Sequence, residues 1–192
     1  MIRGRTLIGL AAAVIAGLAL AACATRDDGA PPPKTEGQVD LKRYTGTWYE
    51  LARMPMFFQR NCVQSEAHYT VKGDGNLGVL NRCRTSAGDW QEAIGTATPQ
   101  GPGVTDKLSV EFDNWFSRLL PGVAKGDYWI LAIDDHYRTA VVGSPTRKYL
   151  WLLSRTPKVS SAVREQLLAK AREQGYDTSR LIWRGADSEI GQ

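Results

Sequence analysis

The chain has 192 residues, 43% of them hydrophobic and 23% charged, and a formal net charge of +4. Two of its cations, Arg3 and Arg5, sit at the extreme N-terminus, and the other basic residues are scattered among acids, which excludes a basic face for nucleic acid. Beyond residue 39 the length suits one domain with one core.

Leu7 to Ala22 is an uncharged apolar run, short and rich in small residues, which reads as the core of a secretory signal and not as a membrane span. It ends in Leu20-Ala21-Ala22-Cys23, which resembles a bacterial lipobox. In such lipoproteins the peptide is removed before the cysteine, which then carries a diacylglycerol on sulfur and a further acyl chain on its amine. An ordinary signal peptide with a cysteine near its cleavage site is the alternative. Two or three acyl chains anchor firmly where one is marginal. Ala24, in place of an aspartate, follows the cysteine, and by resemblance to enterobacterial lipoproteins this points to the outer membrane. Arg26-Asp27-Asp28-Gly29 and Pro31-Pro32-Pro33 offer little to bury and read as a tether. The expected organisation is a signal peptide over 1–22, an acylated Cys23 with a flexible Pro-rich tether over 23–39, and a folded domain over 40–192.

The domain is built from short runs of Val, Ile, Leu, Thr and aromatics broken by turn residues. Eight strands are predicted, over Gly46–Met54, Gln64–Lys72, Asn76–Arg84, Trp90–Thr98, Lys107–Asp113, Tyr128–Asp134, Thr139–Gly143 and Tyr149–Arg155. Asp74-Gly75 is a strong hairpin signal between the second and third. One helix follows, capped by Ser160 or Ser161, with Val163, Leu167, Leu168 and Ala171 on one stripe and Gly175 as its stop. Arg180–Arg184 adds a short edge strand. Eight consecutive strands with short turns predict an all-β fold, an antiparallel up-and-down barrel with the helix outside, and a sandwich is the rival. With Cys23 acylated, Cys62 and Cys83 remain, an even count in an exported chain.

At Gly46-Thr47-Trp48-Tyr49-Glu50 the chain resembles a lipocalin. The family opens its first strand on Gly-x-Trp, carries an acidic turn with a tyrosine between strands six and seven, and ends strand eight on an arginine. Asp134-Asp135-His136-Tyr137 matches the second feature loosely and Arg155 matches the third. The resemblance spans roughly residues 40–184 and is nearest to the bacterial and apolipoprotein D-like members. It agrees with strand direction: in an up-and-down barrel Trp48, Asp134–Tyr137 and Arg155 fall at one end. Cys62 and Cys83 fall together at the other, where a bridge between them is compatible with the topology.

The resemblance implies that Trp48 and Arg155 form a plug at the closed end, the guanidinium over the indole. It also implies a ligand cavity lined by Ala67, Tyr69, Val79, Val110, Phe112, Tyr128, Ile130, Val142 and Trp151, with phenol hydroxyls towards the mouth. A solid core built from the same residues is the alternative. Strand parity places Tyr149, Leu153 and Glu50 inward as well, the last needing an Arg or Tyr partner or a polar ligand group. The loop carrying Trp115, Phe116 and Arg118 lies at the open mouth, apolar enough to be a lid, a foot on the bilayer or a homodimer contact. His68 and His136 read as surface residues.

No Gly-x-Ser-x-Gly, His-Glu-x-x-His, zinc-ligand spacing or phosphate-binding glycine loop occurs, so neither catalytic residues, metal nor cofactor is expected. The function implied is binding, transport or storage of a fatty acid or lysophospholipid-like amphiphile, by a protein held at the outer membrane through lipid. A filled barrel with a structural role, or an enzyme acting through an inward polar residue such as Glu50, are the other readings.

Overall fold

The structure is a computed structural model that describes residues 29–113 and 125–191. The signal peptide, Cys23, the start of the tether, and Trp115, Phe116 and Arg118 lie outside the described residues.

Among the described residues the strands are β1 (Gly46–Arg53), β2 (Cys62–Val71), β3 (Leu77–Thr85), β4 (Trp90–Pro99), β5 (Lys107–Phe112), β6 (Lys125–Ile133), β7 (Thr139–Gly143), β8 (Leu150–Ser154) and β9 (Ile182–Trp183). Each of the first seven pairs antiparallel with its successor, and β1 pairs with both β2 and β8, which closes the sheet into a barrel, while β9 adds to β1. Closure leaves none of the first eight as a free edge. The sandwich is thereby excluded. Asp74 caps its own hairpin by accepting the amide of Asn76, and Gly75 adopts φ +83°, which a side chain would resist.

Two layers of apolar packing follow from strand alternation. Inward side chains such as Trp48, Leu77, Leu108, Ile130 and Val142 form the barrel core. Outward residues of β7 and β8, including Val141, Leu150 and Leu152, meet Leu167, Leu168 and Ala171 of helix α2 (Ser161–Glu173). Ser160 is its N-cap, accepting the Val163 amide. Gly175 ends it at φ +83°. At Gly143 the helix's end comes very close: a Cβ there would lie 2.2 Å from the Tyr176 hydroxyl, which is bonded to Ser144.

Alternation is interrupted in β2, in β6 and, with most consequence for the interior, in β1. A bulge between Glu50 and Ala52 lets both Leu51 and Ala52 join the outer layer and places Arg53 opposite Trp151, on the inner side. A β-bulge adds a residue without changing composition, so an inward arginine at this position was not legible from spacing.

Residues 31–39 depart from the expected flexible tether and belong to the folded body. Their amides are taken up along the barrel, Lys34 by Gln174, Glu36 by the Ile130 carbonyl, Gly37 by Asp106 and Val39 by Thr105. Pro33 and Val39 are buried. Almost every one of these contacts uses backbone, so the segment needs no apolar pattern to dock.

Cys62 and Cys83 are joined by a disulfide, with Cα atoms 5.4 Å apart and a sequence separation of 21. The bridge ties the return from the β1–β2 connection to β3 at the open end. A Cys62→Ser, Cys83→Ser double variant is expected to lose about 3 kcal/mol through loop-closure entropy, read as a lower urea midpoint.

Candidate ligand-binding site

The closed end is built around one arginine. Arg155 lies with its Cζ 3.9 Å from the centroid of the Trp48 ring. Its three nitrogens donate to four carbonyls, those of Tyr137, Thr47, Arg43 and Tyr44. Those carbonyls belong to the β6–β7 turn, to β1 and to α1 (Leu41–Tyr44), so one side chain fastens three segments. Gly46 makes room for it: its φ is +90° and a Cβ would stand 3.3 Å from Nη1 of Arg155. The Trp48 indole is fully buried and donates to the Tyr44 carbonyl at 2.8 Å.

The β6–β7 turn is pinned just as firmly. Asp134 accepts the amides of His136, Arg138 and Thr139 and the Thr139 hydroxyl. Partial burial acts to raise its carboxyl pKa, but these donors outweigh it and hold the group below the ordinary value. Tyr137 adopts φ +57°, carries Arg43 over its ring and accepts the Asp40 amide. The loosely matched turn is thus a working part of the closure.

Above the plug, Tyr128 is hydrogen-bonded to Tyr44 at 2.7 Å and to Tyr69 at 3.0 Å. Burial pushes the Tyr69 phenol up to about 12 and holds the other two well above their usual value, so all three stay protonated. These phenols, expected to point towards the mouth, are instead joined to α1 at the closed end. Tyr44 was not singled out from sequence, although it lies one helical turn before Trp48, next to its Asp40 cap. Tyr149, expected inward, precedes β8 and packs on Phe58 and Trp151 at the rim.

The nine residues expected to line a cavity all lie in the inner cluster. Their burial changes along the barrel axis. On β3, Leu77 is 0% and Val79 3% exposed, while inward Asn81 and Cys83 are only partly buried. β4 and β5 repeat the trend, from Ala97 to Ala93 and from Leu108 to Phe112. On β3, β4 and β5 the inward side chains are therefore sealed near α1 and partly exposed near the mouth. Small residues line that part of the wall at Ala67, Ala93 and Gly95, and no Cβ fits at Gly95, where it would meet the Glu111 carbonyl at 2.3 Å.

The mouth half has two chemically different walls. Val110 and Phe112 of β5 are apolar. Opposite them Glu50 is salt-bridged to Arg53 at 3.0 Å, both almost fully buried. Arg53 also donates to the Gln59 and Cys62 carbonyls, and Gln59 bridges Glu50 to the Trp151 indole. Burial raises the Glu50 carboxyl above the usual range, while Arg53 and Gln59 pull it part of the way back. Asn81, inward on β3, has a buried side-chain oxygen without a partner. Parity alone pointed to Glu50; Arg53 and Gln59 depend on the bulge and on the turn at Phe57–Gln59.

A closed β-barrel plugged at one end, with an accessible inner wall at the other, defines a calyx of the ligand-carrier type. The match to known proteins names its family. Residues 39–186 match the lipocalin-like domain, and the chain belongs to the lipocalins. It is 37% identical over 181 residues to the outer membrane lipoprotein Blc of Escherichia coli K12, covering 92% of this chain and 96% of that protein. It is 41% identical over 146 residues to temperature-induced lipocalin-1 of Arabidopsis thaliana, covering 74% and 77% respectively. Bovine apolipoprotein D is 31% identical over 134 residues, 66% of each chain. Insecticyanin from the tobacco hornworm Manduca sexta shares the fold, with a TM-score of 0.64 at 18% identity over 85% of this chain and 88% of that one.

Proposed function

We propose that the chain is a lipid-anchored lipocalin of the outer membrane that binds one single-chain amphiphile, a fatty acid or lysophospholipid, without acting on it chemically. The rise in exposure of inward residues from Leu77 to Asn81 on β3, repeated on β4 and β5, carries this reading. A tube sealed below and open above holds an acyl chain lengthwise. The polar wall around Glu50, Arg53 and Asn81 offers the nearer groups of a headgroup something to bond, and the apolar wall takes the chain. Acylation of Cys23 supplies the anchor, in keeping with the lipobox and with the name of the E. coli relative.

Native mass spectrometry of a Cys23→Ala chain purified from cells tests the reading. A fatty acid or lysophospholipid at one per chain is expected. An empty, folded protein that also refuses a fluorescent fatty acid overturns it in favour of a filled structural barrel. An Ala93→Trp variant, which thrusts an indole into the mouth half, is expected to weaken that uptake at least tenfold, about 1.4 kcal/mol, with an unchanged urea midpoint.

A further inference from the structure

The direction of the docked N-terminal segment says how the calyx stands on its membrane. Read backwards, it starts at the closed end, where the Asp40 amide meets the Tyr137 hydroxyl. It passes Thr105, Asp106 and the Ile130 carbonyl. It finishes at the open end, where the Pro31 carbonyl accepts from Arg147 of the β7–β8 connection at 2.7 Å. The chain preceding Pro31 therefore leaves from the mouth, not from the plug. Only seven residues, eight Cα–Cα steps, separate Pro31 from Cys23. They span roughly 28 Å fully extended and about 16 Å on average as a flexible chain.

The surface around the mouth suits what such a short tether would bring to it. Phe57, 61% exposed, stands on the β1–β2 connection with Arg60 over its ring. Trp90, 40% exposed, stands at the β3–β4 turn with Arg82 and Arg84 against it. Exposed aromatics beside cations are the side chains that settle at a headgroup layer. Arg60, Lys125 and Lys148 stand on the connections and strand ends of the mouth, where they can meet anionic headgroups, while Arg84 faces Asp187 at 4.0 Å.

We propose that the open rim of the calyx docks on the lipid surface that carries the anchor, Phe57 and Trp90 at the headgroup layer. An amphiphile then passes between bilayer and calyx without crossing water. This rests on the acylated Cys23 proposed above.

The full chain is reconstituted through its own anchor in vesicles of phosphatidylethanolamine and phosphatidylglycerol. Photoreactive p-benzoylphenylalanine is placed singly at Phe57, Trp90, Lys72 or Asp135, the last two being exposed positions of the closed end. Phospholipid adducts from the first two are expected at ten times or more the yield of the others. An Arg60→Glu, Lys148→Glu background is expected to lower the rim yield several-fold. Acylated, vesicle-bound chain with equal yields at both ends, or more at the closed end, overturns the docking alone. Chain whose Cys23 carries no acyl group and which stays out of the vesicle fraction overturns the anchor and the docking together.

Discussion

Replacing Glu50 by leucine is expected to destabilise the barrel by about 3–5 kcal/mol, because it leaves a buried guanidinium with no counter-ion. Arg53 is 2% exposed and its partner carboxylate lies 3.0 Å away. An arginine has no accessible neutral form, so the loss cannot be relieved by a proton. The converse change is milder for that reason. In Arg53→Met, Glu50 can take up a proton, and burial already favours the protonated form. A carboxyl whose folded pKa is raised contributes stability that is present below its unfolded pKa and lost as pH rises through the folded one. The deficit of Arg53→Met should therefore be small in mild acid and grow towards neutrality, while that of Glu50→Leu should not grow and should shrink slightly, because the wild-type carboxyl is itself raised. The double replacement, apolar on both sides, should return most of the loss. Urea unfolding of the four proteins at several pH values separates these outcomes. If the double variant is no better than Glu50→Leu, the Arg53 bonds to the Gln59 and Cys62 carbonyls, not the ion pair, hold this part of the wall.

The pair also marks where sequence reading stopped. Period-two alternation and turn residues located all eight barrel strands to within a few residues, because each strand has one face in the core and one against solvent or α2. The closed end was legible for a second reason: Trp48, Tyr137 and Arg155 lie at strand ends that antiparallel order brings together. By contrast Arg53 reached the interior through a bulge, which shifts parity without leaving a mark in composition. The docking of residues 31–39 rests on backbone amides finding Asp106, Thr105 and Gln174, and a Pro-rich polar stretch gives no apolar signature for that. The phenol cluster was half legible. Tyr69 and Tyr128 followed from parity, but their direction depended on Tyr44, which an isolated four-residue helix hides.

Trp48→Ala should cost about 3–5 kcal/mol, the usual range for deleting a large buried aromatic, and should do so without weakening ligand uptake by the molecules that remain folded. The indole is fully buried, with Tyr44 4.9 Å away on one side and the Arg155 guanidinium over its face. Its removal leaves a cavity and strips Arg155 of a stacked partner, whose share is on the order of 1–2 kcal/mol when shielded from water. Arg155→Lys should also be costly, since a single ammonium cannot serve four carbonyls in three directions. Trp48 and Arg155 pack against the Tyr44–Tyr128–Tyr69 cluster at the sealed end, whereas the more exposed inner residues Asn81, Ala93 and Phe112 lie towards the mouth. Stability and binding are thus assigned to opposite ends of one tube. Urea midpoints and fluorescent fatty-acid titrations on Trp48→Ala and Ala93→Trp should show crossed effects, the first losing stability and keeping affinity, the second the reverse. A Trp48→Ala protein of unchanged midpoint would mean that the closed end is held by Arg155 and its carbonyls alone.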